Sequence, residues 1–136
     1  MSRKMARETA MQVYYQMEIH KEYEADVAKN FIEGVTDNEG DRKYIVDMID
    51  IFIKNKEVID KHINDNLKGW NLDSLSKIDL SILRIGLSEM LYREDIPVKV
   101  SINEAIEIGK KFGTDDSGSF ISGLLGAIAG KEEVNE

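Results

Sequence analysis

A single proline, Pro97, stands in this chain of 136 residues, and that scarcity restricts the fold more than any other feature of the sequence. Proline kinks or breaks a helix, so long helices can form without interruption on either side of residue 97. On both sides, apolar residues recur at steps of three and four, which is the period of an amphipathic helix. No stretch keeps the period of two that a strand requires. We therefore predict an all-α fold, a compact bundle of about seven helices.

The apolar spacing also predicts where the helices lie. We expect helices over about 2–23, from about 26, over 41–67 with a break near 54–57, and over 76–94, 101–112 and 117–129. The helix within 76–94 is apolar on nearly all sides, which predicts a central position in the bundle. Asp26 is expected to cap the second helix, with Val27, Phe31 and Val35 turned inward. Ser101 and Glu104 match a capping box that would open the fifth helix, and Gly113 would close it.

Charge and composition exclude several classes of protein. The net charge of −8 argues against a protein that coats nucleic acid through bulk charge. Without cysteine, the chain has no disulfides, thiolate zinc sites or cysteine nucleophiles. No apolar run approaches the roughly 20 residues that cross a bilayer, and no secretory signal is evident, so we expect a cytoplasmic protein away from membranes. The first seven residues nevertheless hold three bases and no acid.

The motifs of enzymes and metal sites are missing or fail. The only histidines, His20 and His62, belong to no H-E-x-x-H pattern, and no nucleophile elbow or P-loop occurs. The acidic loop at 37–42 lacks the glycine and the glutamate of an EF-hand. The stretch KFGTDDSGSF at 111–120 resembles a phosphate or metal loop, but Asp115 and Asp116 would repel an anion. We interpret it as a junction between two helices, and we expect no enzyme activity, no cofactor and no metal.

The basic N-terminus allows two interpretations. Successive helical residues lie about 100° apart, so Lys4, Arg7, Met11 and Tyr15 fall in one stripe, which Arg3 and Tyr14 border. Cations for phosphates and rings for stacked bases are the equipment of single-stranded RNA recognition. The other interpretation is an ordinary solvated start of a helix whose tyrosines are half buried.

Three segments resemble the NusB family of transcription antitermination factors. They are IPVKVSINEAIEIGKKFGTDDSGSFISGLL at 96–125, SKIDLSILRIGLSEMLY at 76–92 and ARETAMQVYYQME at 6–18. The resemblance implies two small helical subdomains packed together and no catalysis. It implies binding of boxA, a short single-stranded RNA, together with the ribosomal protein NusE, in complexes on RNA polymerase that promote transcription of ribosomal RNA.

The resemblance also implies a set of RNA-binding positions. Matched position by position, they are Arg3, Lys4, Arg7, Tyr15, Asp79, Asp116 and Phe120. Met5 stands where the family often has another base, and Gly126 stands where an acid is common. The basic motif is therefore thinner here, and we expect weak RNA binding alone and stronger binding with NusE.

Several alternatives remain open at this point. A helical module that binds a partner but has lost RNA contact would explain the acidic charge and the thinned basic motif. The oligomeric state is also open, since a homodimer could bury the RNA surface until NusE arrives. We expect one domain over 1–130 and a polar tail over 131–136.

Overall fold

A computed structural model describes residues 2–131 of the chain, and all regular structure in that range is helical. The elements are α1 (Arg3–His20), α2 (Ala25–Asn30), α3 (Glu39–Asp65), a 3₁₀ turn (Leu72–Ser74), α4 (Lys77–Tyr92), α5 (Val98–Phe112) and α6 (Ser117–Lys131). The all-α prediction is confirmed, and six α-helices with one 3₁₀ turn agree with the expected number. None of the described helices is long and apolar enough to cross a membrane.

The central position predicted for α4 is confirmed. This helix packs against α1 and α3 on one side and against α5 and α6 on the other. Its residues from Leu80 to Met90 are buried without exception, because neighbouring helices surround it. The buried apolar side chains of all these helices form one continuous core.

The first helix follows its predicted pattern. The Ser2 hydroxyl accepts a hydrogen bond from the Met5 N–H (3.1 Å) and caps the helix, and Ala6, Ala10, Val13 and Met17 are buried. Tyr14, expected at the rim, is instead fully buried, and its hydroxyl donates to the Met48 carbonyl oxygen at 2.6 Å. Because that carbonyl lies on α3, Tyr14 connects α1 with α3 through the interior.

The prediction for the second helix is wrong in its cap and its orientation. The helix begins after Glu24, so Asp26 lies in its first turn and does not cap it. Phe31 and Val35 follow the helix and are exposed, by 40% and 42%. The buried positions of this segment are Ala28 and Ile32, one helical step away from the predicted set. An isolated short segment does not reveal which of its apolar sides faces the core, since both alternatives have helical spacing.

The predicted capping box is also wrong. Helix α5 begins at Val98 after Pro97, so Ser101 lies within it. The Ser101 hydroxyl donates to the buried carboxylate of Glu89 at 2.8 Å and caps nothing. The fixed φ of proline suits the entry to a helix, which explains why the helix starts three residues early.

The two remaining boundary predictions agree more closely with the structure. Helix α3 contains a kink at Asn55, whose φ of −117° and ψ of 16° are non-helical, as the expected break near 54–57 requires. Helix α6 continues to Lys131, two residues beyond its predicted end. Residues 132–136 lie outside the described residues.

Candidate nucleic-acid interface

Three of the predicted site residues meet in a hollow at the start of α4. Asp79 from α4, Asp116 from the α5–α6 junction and Phe120 from α6 line a cavity of about 200 Å³. The remaining lining residues come from the segment before α4: Trp70, Ser74, Leu75 and Ser76. Asp79 and Asp116 are 37 residues apart in sequence, so it is the packing of α4 with α5 and α6 that brings them together.

The cap of α4 determines the position of Asp79. The Ser76 hydroxyl accepts a hydrogen bond from the Asp79 N–H at 3.0 Å, which places this carboxylate in the first turn. A negative charge is favoured there by the helix dipole. One carboxylate oxygen, Oδ1, is buried and has no hydrogen-bond partner in the structure. Because Asp79 also lines the hollow, its carboxylate offers a hydrogen-bond acceptor to a ligand that brings an N–H group.

The junction between α5 and α6 positions the other two residues. The Thr114 N–H donates to the Ser117 hydroxyl (2.9 Å), and the Phe120 N–H donates to the Asp116 carbonyl oxygen (3.0 Å) as α6 begins. This agrees with our interpretation of the stretch as a helix junction. Gly113 has an extended backbone and not the left-handed one expected of a C′ glycine. A side chain is nevertheless excluded there, because an added Cβ would lie 2.2 Å from the Ser117 Oγ.

Sequence reasoning missed Trp70 as a site residue. Its side chain is 60% exposed and lies between the hollow and a neighbouring one of about 410 Å³, with Phe120 lining both. Gly69 precedes it with a φ of +77°, which allows the chain to turn sharply after α3. A lone tryptophan in a polar connection is a signal that the sequence offered, since a core position would suit so large a ring better.

The predicted bases lie elsewhere, near the far end of α4. The Arg3 guanidinium lies 4.5 Å from the centroid of the Tyr44 ring, and Arg93, directly after α4, lies 5.4 Å from the same centroid. Residues 79 and 93 are 14 helical steps apart, or about 21 Å. The candidate interface therefore has an acidic and aromatic end and a basic end.

Arg93, the second arginine at the basic end, is already paired with an acid, Asp95. Arg93 donates two parallel hydrogen bonds to Asp95, at 2.9 and 2.8 Å. Such a pair of bonds is also the way arginine holds a phosphate. The hydrogen bond from Arg93, helped by the charge of Arg3, lowers the pKa of Asp95 to about 2. Asp95 would thus compete with a phosphate for the guanidinium of Arg93.

Arg7 is not part of an exposed basic stripe. Its side chain is 5% exposed, its Nε donates to Glu89 at 2.7 Å, and its Nη1 lies 3.4 Å from Glu104. Burial alone would lower the pKa of Arg7, but Glu89 outweighs that effect and raises it. Tyr44 and Ser101 also donate to Glu89, which is itself fully buried. Because these acids occupy the guanidinium, we do not retain Arg7 among the proposed RNA contacts.

Lys4 and Tyr15 lie on a different side of α1. Lys4 is exposed and Tyr15 is half buried. Glu8, which shares their side of the helix by spacing, forms an ion pair with Lys111 near the end of α5 at 2.9 Å. The predicted stripe is therefore divided, with Lys4 and Tyr15 towards the end of α5 and Arg3 and Arg7 towards Tyr44.

Among residues 2–131, no three histidine or acidic side chains are grouped so as to hold a metal ion.

Comparisons with known proteins identify relatives over nearly the whole chain. The sequence profile of the NusB family matches residues 4–130. Transcription antitermination protein NusB of Acetivibrio thermocellus is 45% identical over 128 residues, which cover 94% of this chain and 88% of the relative. The protein of the same name from Bacillus thuringiensis is 47% identical over 129 residues, covering 94% and 97%.

Solved structures show the same fold. NusB of T. maritima has a TM-score of 0.88 and 30% identity, with 97% of this chain and 93% of that chain covered. A crystal structure of antitermination factors NusB and NusE in complex with dsRNA has a TM-score of 0.86 and 25% identity, with 96% and 97% covered.

Proposed function

Because the chain belongs to the NusB family of transcription antitermination proteins, we propose that it binds boxA-type single-stranded RNA together with NusE. In this proposal it acts in the cytoplasm, where the complex joins RNA polymerase and promotes processive transcription, notably of ribosomal RNA operons. The observation that carries the RNA part is the hollow that unites Asp79, Asp116 and Phe120 with the exposed ring of Trp70.

The hollow suits a base better than a phosphate. Its two carboxylates repel phosphate, whereas a carboxylate accepts a hydrogen bond from the amino group of cytosine or adenine. The carboxylate of Asp79, which lines the hollow, supplies that acceptor. Stacking of a base on an aromatic ring contributes about 1–3 kcal/mol, and Trp70 and Phe120 offer two rings. We propose that this end reads one unstacked base.

The basic end would then hold the RNA backbone. Arg3 and Lys4 are exposed cations on the first turn of α1. Arg3 lies towards the opposite end of α4 from the hollow, so a strand that contacts both must extend over about 20 Å. A base in a duplex is paired and stacked, so we expect the single strand to be preferred over double-stranded RNA.

The lone tryptophan provides a direct test. We expect a boxA-type single strand to quench the fluorescence of Trp70, and the same sequence as a duplex to quench it far less. Asp79→Asn should weaken binding about ten-fold, on the scale of one lost base contact. Asp65→Asn is a matched control, because it removes the same charge from an exposed ion pair with Lys61. The proposal would be refuted if the RNA caused no quenching and showed no binding by anisotropy, both with and without NusE.

The contribution of NusE is measured in the same assay. We expect weak binding of RNA by the chain alone, given its net charge of −8, and stronger binding with the basic ribosomal protein present. Titrations at two salt concentrations separate the electrostatic part. Equal affinity with and without NusE would contradict this expectation.

The second candidate is a partner-binding module without RNA contact, and the burial of Arg7 against Glu89 favours it. The two functions differ in the effect of Arg3→Ala with Lys4→Ala. Loss of RNA binding with an intact fold supports the RNA-binding function, whereas no functional effect of the substitutions supports the second candidate.

A further inference from the structure

A groove on the outer side of α1 is not used by the proposed RNA interface. Thr9, Gln12 and Gln16 from α1 line it, with Phe31 and Val35 from the segment after α2 and the side of Val13 as its floor, around a volume of about 370 Å³. Phe31 and Val35 are exposed, although large apolar side chains are usually buried. The core buries Ala28 and Ile32 of this segment and leaves Phe31 and Val35 exposed, which is the reverse of the predicted orientation.

Two further exposed apolar residues lie along α1 on the side that faces the groove. Met5 and Ile19, both about half exposed, lie on the same side of the helix as Thr9, Gln12 and Gln16 by their spacing. From residue 5 to residue 19 this side measures about 21 Å. His20 stacks on the Phe31 ring, with the two centroids 6.0 Å apart, and holds one wall in place. The surface is long enough to receive a segment of another chain.

The charge of the segment that carries Phe31 and Val35 indicates the kind of partner. Residues 22–41 contain seven carboxylates and one lysine, so most of the net charge of −8 originates here. Six of these acids are exposed: Glu22, Glu24, Asp26, Glu33, Asp37 and Glu39. A groove with Phe31 and Val35 on one side, in a segment rich in exposed acids, is complementary to an apolar segment flanked by bases. RNA would be repelled, and a second copy of this chain would bring the same negative wall.

We infer that the groove between α1 and the segment after α2 docks a positively charged partner protein through an apolar, base-flanked segment. Phe31 and Val35 provide the apolar anchors, and the acids of residues 22–41 steer the partner. The inference rests on the proposed function in one respect: NusE, as the basic ribosomal partner, is the protein expected to dock here.

Binding of purified NusE to the full chain tests the inference. We expect the double variant Phe31→Ala/Val35→Ala to bind NusE at least ten-fold more weakly. We expect Glu33→Lys/Asp37→Lys to slow association and to reduce its salt dependence. Val58→Ala/Val100→Ala is the matched control, because it removes two equally exposed apolar side chains outside the groove and should bind NusE normally. Circular dichroism checks that all variants are folded.

Each outcome distinguishes between failures. Binding of NusE by the unmodified chain with equal affinity in the groove variants would overturn the inference and leave the proposed function intact. No binding by the unmodified chain would refute both. A homodimer that dissociates in the Phe31→Ala/Val35→Ala variant, while its affinity for NusE stays unchanged, would assign the groove to self-association and overturn the inference.

Discussion

Replacement of Arg7 by alanine tests whether this arginine supports the fold from within. The substitution removes the 2.7 Å ion pair with Glu89, whose side chain is 1% exposed. Two neutral donors, the hydroxyls of Tyr44 and Ser101, would remain on that carboxylate. Breaking a buried ion pair by removing one partner costs about 3–5 kcal/mol. Domains of this size have about 5–15 kcal/mol of stability, so the expected loss is a large fraction of it.

Urea unfolding and thermal unfolding measure this loss. We expect the melting temperature to fall by roughly 10–20 °C, at about 4 °C per kcal/mol for a chain of this length. Lys4→Ala is the control, because Lys4 is exposed one turn earlier on the same helix and its loss should change stability by less than about 0.5 kcal/mol. A double variant, Arg7→Met/Glu89→Gln, should recover much of the loss, because no unpaired charge remains.

An Arg7→Ala variant whose stability stays within about 1 kcal/mol of the wild type would refute the reasoning.

Three further predictions concern single positions. Gly113→Ala should lower stability by about 1–3 kcal/mol, because its Cβ would lie 2.2 Å from the Ser117 Oγ. Gly123→Ala is the control and should stabilise α6, because its Cβ would meet open space. Equal melting temperatures of the two variants would contradict this prediction. Burial raises the pKa of Glu18, but hydrogen bonds from a lysine, a tyrosine and an arginine outweigh burial and lower this pKa to about 2. The ionised carboxylate therefore contributes about 3 kcal/mol to the free energy of unfolding, and this contribution is lost as the pH falls from about 5 to 2. Glu18→Gln should flatten acid unfolding in that window, and an unchanged profile would contradict the assignment. Asp95→Asn should raise RNA affinity several-fold in the anisotropy assay, since it frees an arginine for phosphate, and unchanged affinity would exclude that competition.

Much of the fold could be predicted because its signals are local. The apolar stripe of α1 and the kink near Asn55 are written in neighbouring residues. The all-round apolar helix α4 required burial on every side, and only a central position provides it. Where two sides of a short helix were equally apolar, as around Phe31, the local signal gave the wrong answer.

The candidate site was predicted less completely. Asp79, Asp116 and Phe120 came from family resemblance, and the structure shows that they share one hollow. Trp70 was not predicted as a site residue, because its position beside the hollow depends on residues that are distant in sequence. The assignment of Arg7 to the RNA surface followed from the helical stripe and the family resemblance, and neither reveals that a buried acid pairs with this arginine.

The sequence by itself determined the helical class, most helix boundaries and the acidic and basic distribution, because periodicity, capping and composition act over a few residues. The tertiary structure decided which polar groups became structural and which stayed available. Arg7 and Glu89 are 82 residues apart, and Ser101 reaches the same carboxylate from a third helix. Such partners meet only when the helices pack, and burial then determines whether a charge is consumed by the fold or left for a ligand.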